Sequence, residues 1–112
     1  MLVVVLTALT SSAIAQSGFR VTHQVAQTAP THVEITGTVV NETRAEALDV
    51  SVTVEAIGAG GKRAARGIAY VTSRLPAGGT ANFTAKVPAV PGVTGYRAAV
   101  TSFRFIQSVE TP

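Results

Sequence analysis

Along the middle of this chain apolar and polar residues exchange places at every second position. Leu48, Val50, Val52 and Val54 alternate with Asp49, Ser51, Thr53 and Glu55. A period of two sends successive side chains to opposite faces of a strand, so this run predicts a strand with one buried valine face and one wet face. The period recurs elsewhere. Residues 19–25 set Phe19, Val21 and Val25 against Arg20, Thr22 and Gln24, and residues 33–39 set Val33, Ile35 and Val39 against Glu34, Thr36 and Thr38. Gly37 inside the second run marks a bulge or a close backbone approach. Ala81, Phe83, Ala85 and Val87 alternate with Thr80, Asn82, Thr84 and Lys86. A weaker strand is predicted over residues 65–72 and a long final one over residues 93–106.

Turn chemistry separates these runs: Ala29-Pro30, Asn41-Glu42-Thr43-Arg44, Gly58-Ala59-Gly60-Gly61-Lys62, Leu75-Pro76-Ala77-Gly78-Gly79, and the proline pair at 88 and 91. No 3.6-residue period is sustained, so no helix longer than a turn is expected and parallel crossovers are excluded. The expectation is an all-β, antiparallel sandwich or barrel of about six or seven strands. It forms one domain over residues 16–107, with a flexible tail at 108–112.

The final run changes phase. Tyr96, Ala98 and Val100 share one parity, whereas Phe103 and Phe105 share the other. A bulge near Thr101-Ser102 would return both aromatics to the core. Without it they flank Arg104 on an outer face, and Phe103, Arg104 and Phe105 become the candidate partner contact.

Composition removes several kinds of chemistry. The 112 residues include no cysteine, which excludes disulfides, thiolate zinc sites, a cysteine nucleophile and a lipid-modified cysteine. Nine Lys and Arg stand against six Asp and Glu, but they are scattered and aromatics are few, so no nucleic-acid surface is expected. His23 shares parity with the buried face of its strand and His32 faces outward, so neighbouring strands would keep the two from sharing a metal ion. Asp49, the only aspartate, sits mid-strand, and no Gly-x-Ser-x-Gly elbow occurs, so no serine hydrolase site is formed. The glycine-rich stretch ending in Lys62-Arg63 has alanine at position 56 and arginine at 63, where a phosphate loop needs glycine and Ser or Thr. It reads as a solvated hairpin tip carrying Lys62, Arg63 and Arg66. The triplets at Asn41 and Asn82 fit the glycosylation pattern but read as structural. With no tryptophan and only Tyr70 and Tyr96, stacking recognition of sugars is disfavoured. Neither an enzyme nor a cofactor is expected.

At the N-terminus an apolar run over residues 2–9 is followed by Thr10, Ser11, Ser12 and then Ala13-Ile14-Ala15 before Gln16. Small residues in an Ala-x-Ala pattern after a short apolar run predict a signal peptide over residues 1–15, although no basic residue precedes Arg20. The run falls short of the ~20 apolar residues a spanning helix needs.

From residue 37 to 87 the chain resembles the FxLYD domain, a small immunoglobulin-like module of exported prokaryotic proteins. The resemblance rests on Gly37-Thr38-Val39-Val40-Asn41 before a turn, the valine alternation from Val50 to Val54, Gly61-Lys62 in a hairpin loop, and Leu75-Pro76-Ala77-Gly78-Gly79-Thr80-Ala81-Asn82-Phe83. The aromatic motif that names the family is replaced by Val54-Glu55-Ala56-Ile57-Gly58. The resemblance implies an immunoglobulin-like β-sandwich in a secreted or periplasmic setting and supplies no catalytic residues. The functional expectation is an exported, non-enzymatic module contacting a protein or cell-envelope partner. The alternative is a free-standing structural or stress-related periplasmic protein with no specific ligand.

Overall fold

A computed structural model of the protein describes residues 13–14 and 18–106. Seven antiparallel strands follow in chain order: β1 (Ala13–Ile14), β2 (Phe19–Thr28), β3 (His32–Asn41), β4 (Ala47–Ile57), β5 (Arg63–Leu75), β6 (Thr80–Pro88) and β7 (Gly95–Phe105). They form two sheets, ordered β1-β2-β3-β6 and β5-β4-β7. The chain crosses between sheets after β3, β5 and β6. This is the immunoglobulin-like arrangement in which strands A, B and E face C′, C and F. The expected all-β sandwich of six or seven strands is therefore the observed one. Of the expected signal peptide over residues 1–15 only Ala13 and Ile14 are described, paired with Val21 and Arg20 of β2, and cleavage after Ala15 would leave the six strands β2 to β7; the tail at 108–112 lies outside the described residues.

The core is the set of inward positions in the alternating runs: Val33, Ile35 and Val39 on β3, Val50, Val52 and Val54 on β4, and Phe83, Ala85 and Val87 on β6 are buried. Ser51 and Thr53 point outward, half-covered by the strands on both sides. Two inward assignments fail. Val25 pairs with fully buried Ile35 and so points the same way, yet it is 49% exposed. It lies on β2, where the opposite sheet does not reach over it. Leu48 is displaced by Ala47, which is the buried residue there. Asp49 adopts φ 51°, and Asp49 with Val50 opposes the single residue between Arg104 and Ser102 of β7. Such a bulge shifts the phase by one residue, so the valine face continues past it as alanine. β5 is also longer than predicted, extending to Arg63 and Leu75.

The two sides of the sandwich differ. β5 runs closely along β6, and at Gly67 a Cβ would collide with the Lys86 carbonyl oxygen. Gly37 is a second close approach, because a Cβ there would strike the Thr22 carbonyl and the Phe83 ring. β2 and β7, by contrast, touch at few points and leave the opposite flank open.

Asn41 closes one end of the sandwich. It is fully buried, and every polar group it has is used. Its backbone N–H donates to Gly79 O at 2.9 Å, and its carbonyl accepts from Gly78 N–H at 2.7 Å. Its Nδ2 donates to Ala45 O at 2.9 Å and Leu75 O at 3.0 Å. Its Oδ1 accepts from Thr43 N–H at 2.9 Å and lies 2.6 Å from the Thr43 hydroxyl. The β3–β4 crossover is thereby tied to the β5–β6 crossover. A buried asparagine so occupied cannot take a glycan in the folded chain.

Candidate interaction surface

The phase change in β7 is resolved by a bulge. Ser51 pairs with Ser102 while Val52 pairs with Val100, so Thr101 is the extra residue, where the sequence places it. Beyond it Phe103 turns inward and packs edge-on against Phe19, with ring centroids 4.9 Å apart and planes at 65°. Phe105 meets Phe103 in the same geometry and lies 6.5 Å from Phe19. Phe19 is fully buried, but Phe105 remains 38% exposed and Ile106 43%. The three rings thus begin in the core and end at the surface, on the open side between β2 and β7.

Arg104 does not join them. It faces the outer side of the β5-β4-β7 sheet, where its Nη2 donates to Asp49 Oδ2 at 2.9 Å. Tyr70 OH donates to Asp49 Oδ1 at 2.9 Å, so one carboxylate bridges three strands. The Tyr70 hydrogen bond first, and the Arg104 bond second, hold the Asp49 carboxyl below its usual range, and Asp49 in turn raises the Tyr70 phenol. The three candidate residues are therefore split: an aromatic pair on the inner side and a paired guanidinium on the outer.

Further ion pairs lace this outer face. Glu55 receives Arg97 at 2.8 Å and Arg63 at 3.0 Å, and Glu46 receives Arg74 at 2.7 Å. Hydrogen bonds from Arg97 and then Arg63 lower the Glu55 carboxyl, and the bond from Arg74 lowers Glu46. All are solvated pairs whose individual worth is small.

His23 stands at the open flank with its Nε2 3.1 Å from Tyr96 O, a geometry in which Nε2–H donates. Its Nδ1 is buried without a partner. His32 opens β3, with Nδ1 3.2 Å from the Thr31 hydroxyl. No group of three or more His, Asp or Glu side chains able to hold a metal ion occurs among the described residues. A depression of about 530 Å³ lies on the outer face of the β2-β3-β6 sheet. Its floor is Thr22, Gln24, Thr36, Thr38, Asn82 and Thr84, hydroxyls and amides with no carboxylate.

Sequence reasoning missed Val25 and Ile106 as exposed residues and the bridge from His23 to β7. Their signal is tertiary, because it depends on which strands the opposite sheet covers. Comparison of the chain with family models, with curated proteins and with solved structures finds no match.

Proposed function

We propose that this chain is an exported, non-enzymatic module of the FxLYD-like kind, and that it contacts a protein or cell-envelope partner through the open flank between β2 and β7. The observation that carries this reading is the exposed end of the aromatic cluster, Phe105, 38% exposed on the side where the two sheets do not close. An aromatic ring that continues the core out to the surface offers apolar area to a contact. Export is supported by Ala13-Ile14-Ala15, and the FxLYD-like reading by the resembling segments at 37–41 and 75–83, with the two-sheet strand order in keeping with an immunoglobulin-like module.

Mass analysis of the exported chain tests the setting: cleavage after Ala15 gives a chain beginning at Gln16, whereas a retained residue 2–9 segment refutes it. Capture from the native envelope with the wild-type chain and with Phe105→Ser tests the contact. A partner recovered with the first and lost with the second, at unchanged circular dichroism, is expected. Equal recovery by both refutes the contact at this flank.

A further inference from the structure

We infer that the outer edge of β7 accepts an extended segment of a partner protein as a fourth strand of the β5-β4-β7 sheet. The added strand presents two acidic side chains about six residues apart on its outward face. This rests on the reading that the open flank contacts a protein, and specifies how.

The backbone supplies the first reason. Tyr96 O points away from β4, since it accepts from His23 Nε2. Antiparallel ladders alternate, so Ala98 and Val100 also turn their N–H and C=O groups outward. Among the described residues no strand lies beyond β7, the place that strand G takes in an immunoglobulin sandwich. Those groups form an open ladder of the kind strand addition uses.

Charge supplies the second. On the outer face Arg66, Glu55 and Arg97 stand in one cross-strand row from β5 to β7, and Glu55 also serves Arg63. One carboxylate among three guanidiniums leaves the edge of that row positive, and the next position across favours an acid. At the other end of β7, Arg104 is two-thirds exposed and meets only Asp49, itself shared with Tyr70. Allowing for the extra residue at Thr101, Arg97 and Arg104 are separated by about six residues of a regular neighbouring strand.

The surface between them fits a side chain. A cavity of about 120 Å³ opens on the outer face over the seam of β4 and β7, lined by Thr53, Glu55, Arg97, Ala99 and Thr101, within reach of a side chain laid across Ala99 from the β7 edge. It takes one aliphatic group from the middle of the incoming strand. A second copy of this chain is the weaker occupant. Pairing β7 with itself about an axis near Val100 and Thr101 would set Arg97 against the other copy's Arg104, like charges face to face.

The test uses the chain purified after export and a labelled ten-residue peptide of alternating character, with Glu at positions 2 and 8, Leu at 4 and Thr at 6. Two controls move the second Glu to position 7, on the opposite face, or replace both acids by Lys. Saturable binding seen by anisotropy, at least tenfold weaker for both controls, with amide shifts at Ala98 and Val100, is the expected result. In an Arg97→Glu/Arg104→Glu variant the Lys peptide becomes the better ligand; should that variant not fold, the peptide series on the unaltered chain decides. No saturable binding, indifference to face and sign, or a dimer of the chain with β7 in its interface overturns strand addition. If the peptides fail while Phe105→Ser still loses the envelope partner, strand addition falls and the contact at the flank stands.

Discussion

Replacing Asn41 with alanine removes four side-chain hydrogen-bonding relations at a site with no access to water. Leu75 O loses its donor in the buried interior and Thr43 N–H its acceptor in a partly buried position, while Ala45 O keeps the Thr43 hydroxyl. A buried group left without its partner costs about 1–3 kcal/mol, and the partly buried ones recover some of that from solvent. The sum is about 2–4 kcal/mol. A domain of this size has a total stability of roughly 5–13 kcal/mol, so the variant loses a substantial part of it. Asn41→Asp keeps the acceptor for Thr43 but turns a carboxylate oxygen toward two carbonyls, so at neutral pH it is worse than alanine. Burial against those carbonyls raises the new carboxyl, so the aspartate variant binds its proton more tightly when folded than when unfolded and recovers stability as pH falls. Urea titrations and thermal melts followed by circular dichroism measure all three chains, and the alanine variant should lose about 10–30 °C in Tm. An alanine variant within about 0.5 kcal/mol of wild type would refute the reasoning, as would an aspartate variant no worse than alanine at pH 7.

Val52→Ala, at a fully buried inward position, should cost about 1–3 kcal/mol while Ser51→Ala stays near zero; equal losses in denaturant titrations would sink the β4 register. Phe103→Ser should cost about 2–3 kcal/mol, since its ring rests on Phe19, whereas Phe105→Ser costs about 1 kcal/mol, which separate unfolding curves resolve. Glu46, Asp49 and Glu55 all have carboxyls lowered in the folded chain, so their stabilisation is complete above their ordinary values of 4.5, 3.8 and 4.5. It is lost as pH falls through and below that range. Tm measured from pH 6 to pH 3 should therefore decline in this window, more steeply at low salt, and Glu55→Gln should flatten the decline.

The alternating valines of β4 and the phase change of β7 made the sandwich and the bulge at Thr101 legible, because both are consequences of local period. The β4 bulge was not legible, because nothing in Leu48-Asp49-Val50 departs from strict alternation. Only the positive φ at Asp49, held among Tyr70 and Arg104 from other strands, moves Ala47 inward in place of Leu48. Val25 failed for the complementary reason: its direction was right, but coverage depends on the opposite sheet. Of the candidate contact residues, Phe103 and Phe105 were separable from Arg104 only once the bulge was placed.

The strand order also bears on when this chain can fold. Beyond the short hairpins β2-β3 and β4-β5, each sheet is completed by partners far apart in sequence, such as Gly37 with Phe83 and Val54 with Ala98. Closing such long loops precedes the reward of the contacts, which places chains of this topology in the slow, millisecond-to-second range. The crossovers joined at Asn41 form only after Leu75 and Gly79 have been synthesised, so the bonds that close this end of the domain cannot form on a half-made chain.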